Sequence, residues 1–177
     1  MQFTPLPLPG ILLIQMDRRA DTRGYFARSF CADEFKAHGI PPVFPQCNVS
    51  FNTSRGTLRG LHWQDDLYPE AKLVRCVRGS VFDVAVDLRP RSASYGKWVS
   101  AILSADNGDA LYIPPGFAHG FQTMEDGSEV FYQMAESYHG DGLARGLRWN
   151  DPTIAVDWPI PDPILSDRDA VLPLLGL

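Results

Sequence analysis

Short apolar runs, separated at close intervals by turn-forming residues, constrain this chain more than any other feature. Fifteen glycines and fifteen prolines punctuate the 177 residues, and between them lie alternating stretches rich in Val, Ile, Phe, Tyr and Leu. That pattern specifies an all-β sandwich or barrel, because strand side chains alternate between two faces and each strand must end at a turn. The clearest helix is short, residues 31–38, with Phe35 on its apolar side and Gly39 placed to end it in a left-handed conformation. A second helical turn is expected over residues 166–170. The amino-terminal stretch MQFTPLPLPGILLIQMD carries three prolines and reads as a loop feeding a strand over residues 11–16. Its apolar run falls short of the roughly 20 residues that cross a bilayer, so no membrane partner is expected.

The segment KLVRCVRGSVFDVAVDLRP (72–90) reads as a hairpin turning at Arg78 and Gly79. Lys72, Val74 and Cys76 share one face, and Leu73, Arg75 and Val77 share the other. A register with Val77 opposite Ser80 sets Val74 against Asp83 and Lys72 against Ala85, which brings Lys72 and Asp83 within diagonal reach. No internal repeat or linker interrupts the pattern, and the proline-rich stretch 158–163 reads as a tail packed on the barrel. Residues 1–177 therefore form a single domain.

Hydrophobic content of 45% with 21% charge suits a compact globular core. A formal net charge of −5 argues against a general nucleic-acid binder, which needs a basic surface to displace phosphate counterions. A local basic pocket for one small anion is still compatible with that total. Cys31, Cys47 and Cys76 form neither a disulfide framework nor a zinc spacing, which fits a reducing, cytoplasmic setting.

Two of the four histidines stand in chemically unusual contexts: His62 in LRGLHWQ (58–64) and His119 in IPPGFAHGF (113–121). Ionisable groups set into apolar strands cost free energy unless they are paired or functional. Together with Arg59, Lys72, Asp83 and Tyr132 they form a set suited to proton abstraction beside a carbonyl: a base, a cation for the enolate oxygen, and an acid. His62 as base needs a carboxylate to fix its tautomer, and both Asp83 and Asp169 qualify. Asp169 can equally serve as a helix cap, Asp83 as the partner of Lys72, and Tyr132 as a core tyrosine. Arg59 and His62 are three residues apart, so strict alternation separates them unless Gly60 forms a bulge that re-aims one.

These segments together resemble the dTDP-4-dehydrorhamnose 3,5-epimerase family, enzymes on a cupin-type jelly-roll barrel with short peripheral helices. The resemblance runs through DTRGYFARSF (21–30), QCNVS (46–50), LRGLHWQ, AKLVRC (71–76), GSVFDVAVDLR (79–89), SYGKW (94–98), IPPGFAHGF, EVFYQ (129–133), RWNDP (148–152) and LSDRDAVLP (165–173). It implies epimerisation at C3 and/or C5 of a nucleotide-linked 4-keto-6-deoxyhexose, without an external cofactor. On the matching positions His62 is the base, Asp169 its carboxylate partner, Tyr132 the proton donor and Lys72 the cation beside the enolate. Arg59, His119, Gln46, Asn48 and Arg168 fall on substrate-binding positions. Arg23 and Arg28 fall on nucleotide-contacting ones, reached in the family from the neighbouring subunit of a homodimer with exchanged amino-terminal strands.

Three departures bear on the substrate. Arg28 stands where the family usually has a glutamate, Ala144 lies near an expected binding glutamate, and Arg168 replaces a lysine. They open a CDP- or GDP-linked substrate, or epimerisation at one carbon only, as alternatives. A metal-dependent cupin is a further class, since PPGFAH has the spacing of the second cupin motif. The first motif is broken: His62, Trp63 and Gln64 replace His-x-His, Glu70 lies two residues before a lysine, and Lys72 would repel a metal ion. A sugar-nucleotide binder without chemistry is the third class.

Overall fold

The computed structural model describes residues 1–64, 67–139 and 144–176. Thirteen strands and two short helices follow one another among them: β1 (Gln2–Pro5), β2 (Leu12–Gln15), β3 (Arg19–Asp21), β4 (Gly24–Phe26), α1 (Ala32–Ala37), β5 (Gln46–Asn52), β6 (Leu58–Gln64), β7 (Lys72–Arg78), β8 (Ser80–Asp87), β9 (Trp98–Ser104), β10 (Ala110–Ile113), β11 (Phe117–Thr123), β12 (Ser128–Met134), β13 (Ala144–Gly146) and α2 (Asp167–Ala170). A six-stranded sheet in the order β1-β2-β10-β7-β12-β5 faces a five-stranded sheet in the order β13-β6-β11-β8-β9, and β3 and β4 form a separate two-stranded ribbon. All named pairings are antiparallel, giving the cupin-type jelly roll expected from the sequence.

Period-two alternation sorts the residues onto three apolar layers. Val74, Cys76, Val81, Ala85, Phe117, Phe121 and Val130 meet between the sheets. Leu58, Leu61, Val84, Val86, Ala118 and Ile154 fill the outer side of the five-stranded sheet, where Trp158 covers them. This double covering leaves β8 almost wholly buried. The outer side of the six-stranded sheet is capped by α1, whose Phe35 is fully buried against Ile14, Leu73 and Tyr112. Burying such a ring contributes about 1.5–3 kcal/mol. Cys31 and His38 flank α1 as its caps, and Gly39 follows with φ of +74°, as the spacing predicts.

Two expectations are corrected. The segment 72–90 reverses at Gly79, but its two arms do not pair: β7 joins β10 and β12, whereas β8 joins β9 and β11. Neither the Val74–Asp83 nor the Lys72–Ala85 register exists, because the chain crosses from one sheet to the other at this turn. Alternation and a glycine turn dictate inward faces and a reversal, and both conditions are met equally well by a crossover. The amino-terminal stretch is likewise not all loop: Gln2–Pro5 pairs with β2, with Pro5 at the end of an edge strand where a missing N–H is tolerated.

Candidate active site

A cleft of about 250 Å³ opens between the two sheets. The six-stranded sheet contributes Gln46, Asn48, Lys72, Tyr132 and Met134, the five-stranded sheet Arg59, His62, Trp63, Gln64, His119, Phe121, Ala144 and Arg145, and the flanking segments Glu70, Tyr138 and Arg168. The fold thus brings together eight of the residues expected from the sequence: Gln46, Asn48, Arg59, His62, Lys72, His119, Tyr132 and Arg168.

The expected bulge is present on β6. His119 lies opposite His62 and Phe121 opposite Arg59, so Gly60 and Leu61 together face Gly120. The extra residue turns both Arg59 and His62 into the cleft while Leu58 and Leu61 stay in the outer layer. Only glycine suits the position: Gly60 has φ of +121°, and a Cβ there would lie 2.6 Å from Gly120 Cα.

His62 Nε2 lies 2.7 Å from Asp169 Oδ1, and Asp169 Oδ2 accepts from the Gly60 N–H at 3.3 Å. The carboxylate is thereby fixed at both oxygens. With the ring proton on Nε2, His62 keeps Nδ1 as its basic nitrogen. Burial pushes the Asp169 carboxyl up, but the His62 hydrogen bond and charge outweigh it and hold the group below the usual carboxylate range. The cap of α2 is Ser166, whose Oγ accepts from the Asp169 N–H. Asp169 is free of that duty and points its carboxylate at His62. The tail carrying it is tied down by Arg148 Nε donating to Leu172 O and by the Leu175 N–H donating to Asp151.

A second imidazole pair stands on the adjacent strands. His119 Nε2 lies 2.9 Å from Asp83 Oδ2, and Asp83 Oδ1 is buried without a hydrogen-bond partner. Burial pushes the Asp83 carboxyl up, with His119 opposing. Asp83 therefore serves His119 and not Lys72, which pairs with Glu70. That outcome follows from the sheet crossover, which leaves Asp83 beside β11.

Tyr132 faces inward from β12, with Asn48 and Val74 as its cross-strand neighbours. Burial raises its phenol above the ordinary range, Arg59 opposes the rise and Glu70 adds to it. Arg59 donates through Nε to Asn52 Oδ1 at 2.7 Å, and the buried Asn52 amide is itself held by Ser50 O and Ser128 O. Gln46 accepts from the Tyr138 N–H and donates to Asn48 Oδ1. Asn52, Gln64 and Glu70 are not among the site residues expected from the sequence, although Gln64 and Glu70 each stand two residues from a chosen residue and so on its face.

Arg23 and Arg28 stand apart from this cleft. Arg23 is bound to Asp21 at the tip of the β3–β4 ribbon with its side chain 88% exposed, and Arg28 pairs with Glu34 at 3.2 Å. The lining sets four cationic side chains, Arg59, Lys72, Arg145 and Arg168, against the Glu70 carboxylate. This reverses the sign of the chain as a whole and suits an anionic ligand. Among the described residues no group of three or more His, Cys, Asp or Glu is disposed to hold a metal ion, and no helix is long and apolar enough to cross a membrane.

A family model described as dTDP-4-dehydrorhamnose 3,5-epimerase matches residues 5–176. The chain is 47% identical over 164 residues to the dTDP-4-dehydrorhamnose 3,5-epimerase of Escherichia coli (strain K12), an overlap covering 92% of this chain and 88% of the relative. The crystal structure of dTDP-4-dehydrorhamnose 3,5-epimerase from Bacillus anthracis str. Ames with TDP and PPi bound superposes with a TM-score of 0.95 at 38% identity, covering 98% of this chain and 99% of that one. That of dTDP-6-deoxy-D-glucose-3,5-epimerase from Legionella pneumophila Philadelphia 1 in complex with dTDP-4-keto-L-rhamnose gives 0.91 at 36% identity, covering 98% and 92%. Two facing antiparallel sheets, a basic cleft between them, a histidine backed by a carboxylate and matches along nearly the whole length identify the chain as a member of the dTDP-4-dehydrorhamnose 3,5-epimerase family.

Proposed function

We propose that this protein is an isomerase that inverts C3 and C5 of a dTDP-linked 4-keto-6-deoxyhexose through an enolate. The observation that carries the reading is the His62–Asp169 pair on one wall of a basic cleft, with the half-buried phenol of Tyr132 on the opposing sheet. The substrate's C4 carbonyl acidifies the hydrogens at C3 and C5. His62 Nδ1 takes one of them, the electron pair moves onto the C4 oxygen beside Lys72, and the Tyr132 O–H returns a proton to the other face. Imidazolium and phenolate then exchange protons with solvent, so the net change is one inverted carbon per cycle. Arg59, Gln46, Asn48, His119 and Arg168 bind and orient the sugar nucleotide. The three arginines of the lining, Arg59, Arg145 and Arg168, support binding of a diphosphate.

The test is incubation in D2O with dTDP-, CDP- and GDP-linked 4-keto-6-deoxyhexoses, following deuterium entry at C3 and C5 by NMR. Entry at both carbons of the dTDP sugar is expected. Absence of exchange with every substrate would sink the epimerase reading.

The working unit in this proposal is a homodimer with exchanged amino-terminal strands, in which Arg23 and Arg28 of each chain reach the partner's cleft. Its support is twofold: neither arginine lines the cleft of its own chain, and Val49, Phe51 and Val77 are exposed on the outer side of the six-stranded sheet. Light scattering after gel filtration reads the assembly directly. A cytoplasmic location is supported by three free cysteines.

A further inference from the structure

Glu70 is the part of the cleft that neither an anionic ligand nor the proton-transfer groups account for. It is 7% exposed and is the one carboxylate among the described lining residues, beside Arg59, Lys72, Arg145 and Arg168. An anion in the wall of a diphosphate site opposes the ligand, so its presence needs another reason.

The backbone supplies one. The Ala135 N–H donates to Ala71 O at 2.9 Å, which carries the β7–β12 ladder one residue beyond Lys72. Residues two apart in such an extended segment project to the same side. Glu70 Oε1 accepts from Lys72 Nζ, and Lys72 is itself only 7% exposed. An ammonium taken from water without a partner is strongly disfavoured. On the neighbouring strand Met134 lies opposite Lys72 and Tyr132 opposite Val74, so Lys72 and Tyr132 are diagonal neighbours on the inner face.

We infer that Glu70 is a positioning residue that holds the Lys72 ammonium aimed at the place where the substrate's C4 oxygen gathers negative charge. The inference rests on the epimerase reading above. An ammonium has three donors, and committing one to Glu70 leaves the others for the enolate. Released from Glu70, Nζ on its flexible stem turns toward the substrate's diphosphate or to water. Either way it is lost from the C4 oxygen, which lowers kcat without raising KM.

The experiment is a double-mutant cycle on the full chain with Glu70→Gln, Lys72→Met and the pair, reading kcat, KM and the affinity for dTDP by calorimetry. Glu70→Gln preserves volume and an acceptor oxygen, and is expected to lower kcat by about tenfold to a hundredfold through misplacement of Nζ. KM and dTDP affinity should stay within about threefold, since the interaction removed acts only in the transition state. In the Lys72→Met background Glu70→Gln should have no further effect. Three results overturn the inference: an unchanged kcat in Glu70→Gln, an equal loss with and without Lys72, or a loss of dTDP binding that makes Glu70 a structural prop. An active wild type whose Glu70→Gln variant matches it refutes only the role of Glu70, whereas a wild type without exchange at either carbon refutes the epimerase reading and this inference with it.

Discussion

Replacing Asp169 with Asn keeps the side chain's volume and removes its charge, so it isolates the electrostatic link in the dyad. Asp169 Oδ1 lies 2.7 Å from His62 Nε2, and Oδ2 accepts from the Gly60 N–H at 3.3 Å. On the proposed mechanism the carboxylate holds the ring proton on Nε2 and stabilises the imidazolium that forms when Nδ1 takes the substrate's hydrogen. An asparagine can offer its own N–H to Nε2, which moves the ring proton to Nδ1 and blocks the basic nitrogen. General-base catalysis contributes about 10²- to 10⁴-fold, so kcat should fall by that factor. KM should change little, because Asp169 supports His62 from behind and does not line the cleft. Stability should fall too, since a hydrogen bond to a charged group contributes about 1.5–3 kcal/mol.

The pH dependence of that stability has a definite sign. Burial raises the Asp169 carboxyl, yet His62 holds it below its ordinary value of 3.8. A depressed carboxylate stabilises the fold above the unfolded-state value, and the contribution is lost as pH falls through the lower folded-state value. Urea titrations from neutral pH downward should therefore show the wild type losing part of its advantage over Asp169→Asn below pH 3.8. Steady-state kinetics on the dTDP-linked 4-keto sugar completes the assay. A variant with kcat within about threefold of the wild type would refute the dyad as the source of the base.

Other outcomes follow from the same geometry. Tyr132→Phe should abolish inverted product by at least about 10²-fold while deuterium exchange initiated by His62 persists at one carbon; undiminished product by NMR would remove Tyr132 as donor. Because burial raises the Tyr132 phenol, its stabilising protonation is complete below the ordinary value of 10.0 and is lost as pH rises through the higher folded-state value, which alkaline unfolding curves of wild type and Tyr132→Phe compare directly. Gly60→Ala sets a Cβ 2.8 Å from His119 O at a φ of +121°; it should cost at least about 2 kcal/mol by urea denaturation, and equal stability would contradict the bulge. Asn52→Ala removes the acceptor that anchors Arg59 and should weaken dTDP binding about tenfold by calorimetry with kcat nearly unchanged, the equivalent of one charge-assisted hydrogen bond.

What the sequence disclosed and what it withheld divide along physical lines. The faces of Lys72, Val74 and Cys76, the helix over Phe35 and the bulge at Gly60 were legible because each depends on local alternation, local capping or one glycine's freedom. The partner of Asp83 was not, because a turn at Gly79 says that the chain reverses without saying whether the next strand stays in the sheet. Once β8 lies in the opposite sheet, Asp83 meets His119 on the neighbouring β11 and Lys72 is left to Glu70. Asn52 was hidden for a related reason: an inward asparagine among core residues carries no signal until its neighbour Arg59 is turned toward it by the bulge. Roles that came from family resemblance, such as Asp169 with His62, concern residues 107 positions apart, a separation over which spacing carries no information.

The distance between those two residues also sets an order of events. Among the described residues all thirteen strands lie before residue 147, whereas the carboxylate proposed to complete the base belongs to α2, which starts at Asp167. As the chain leaves the ribosome the barrel can close around its cleft while His62 still lacks Asp169. On the proposed mechanism, competence for proton transfer within one chain then waits for the tail to dock through Arg148 and Asp151. Deleting the residues beyond 164 would remove Asp169 while keeping every described strand.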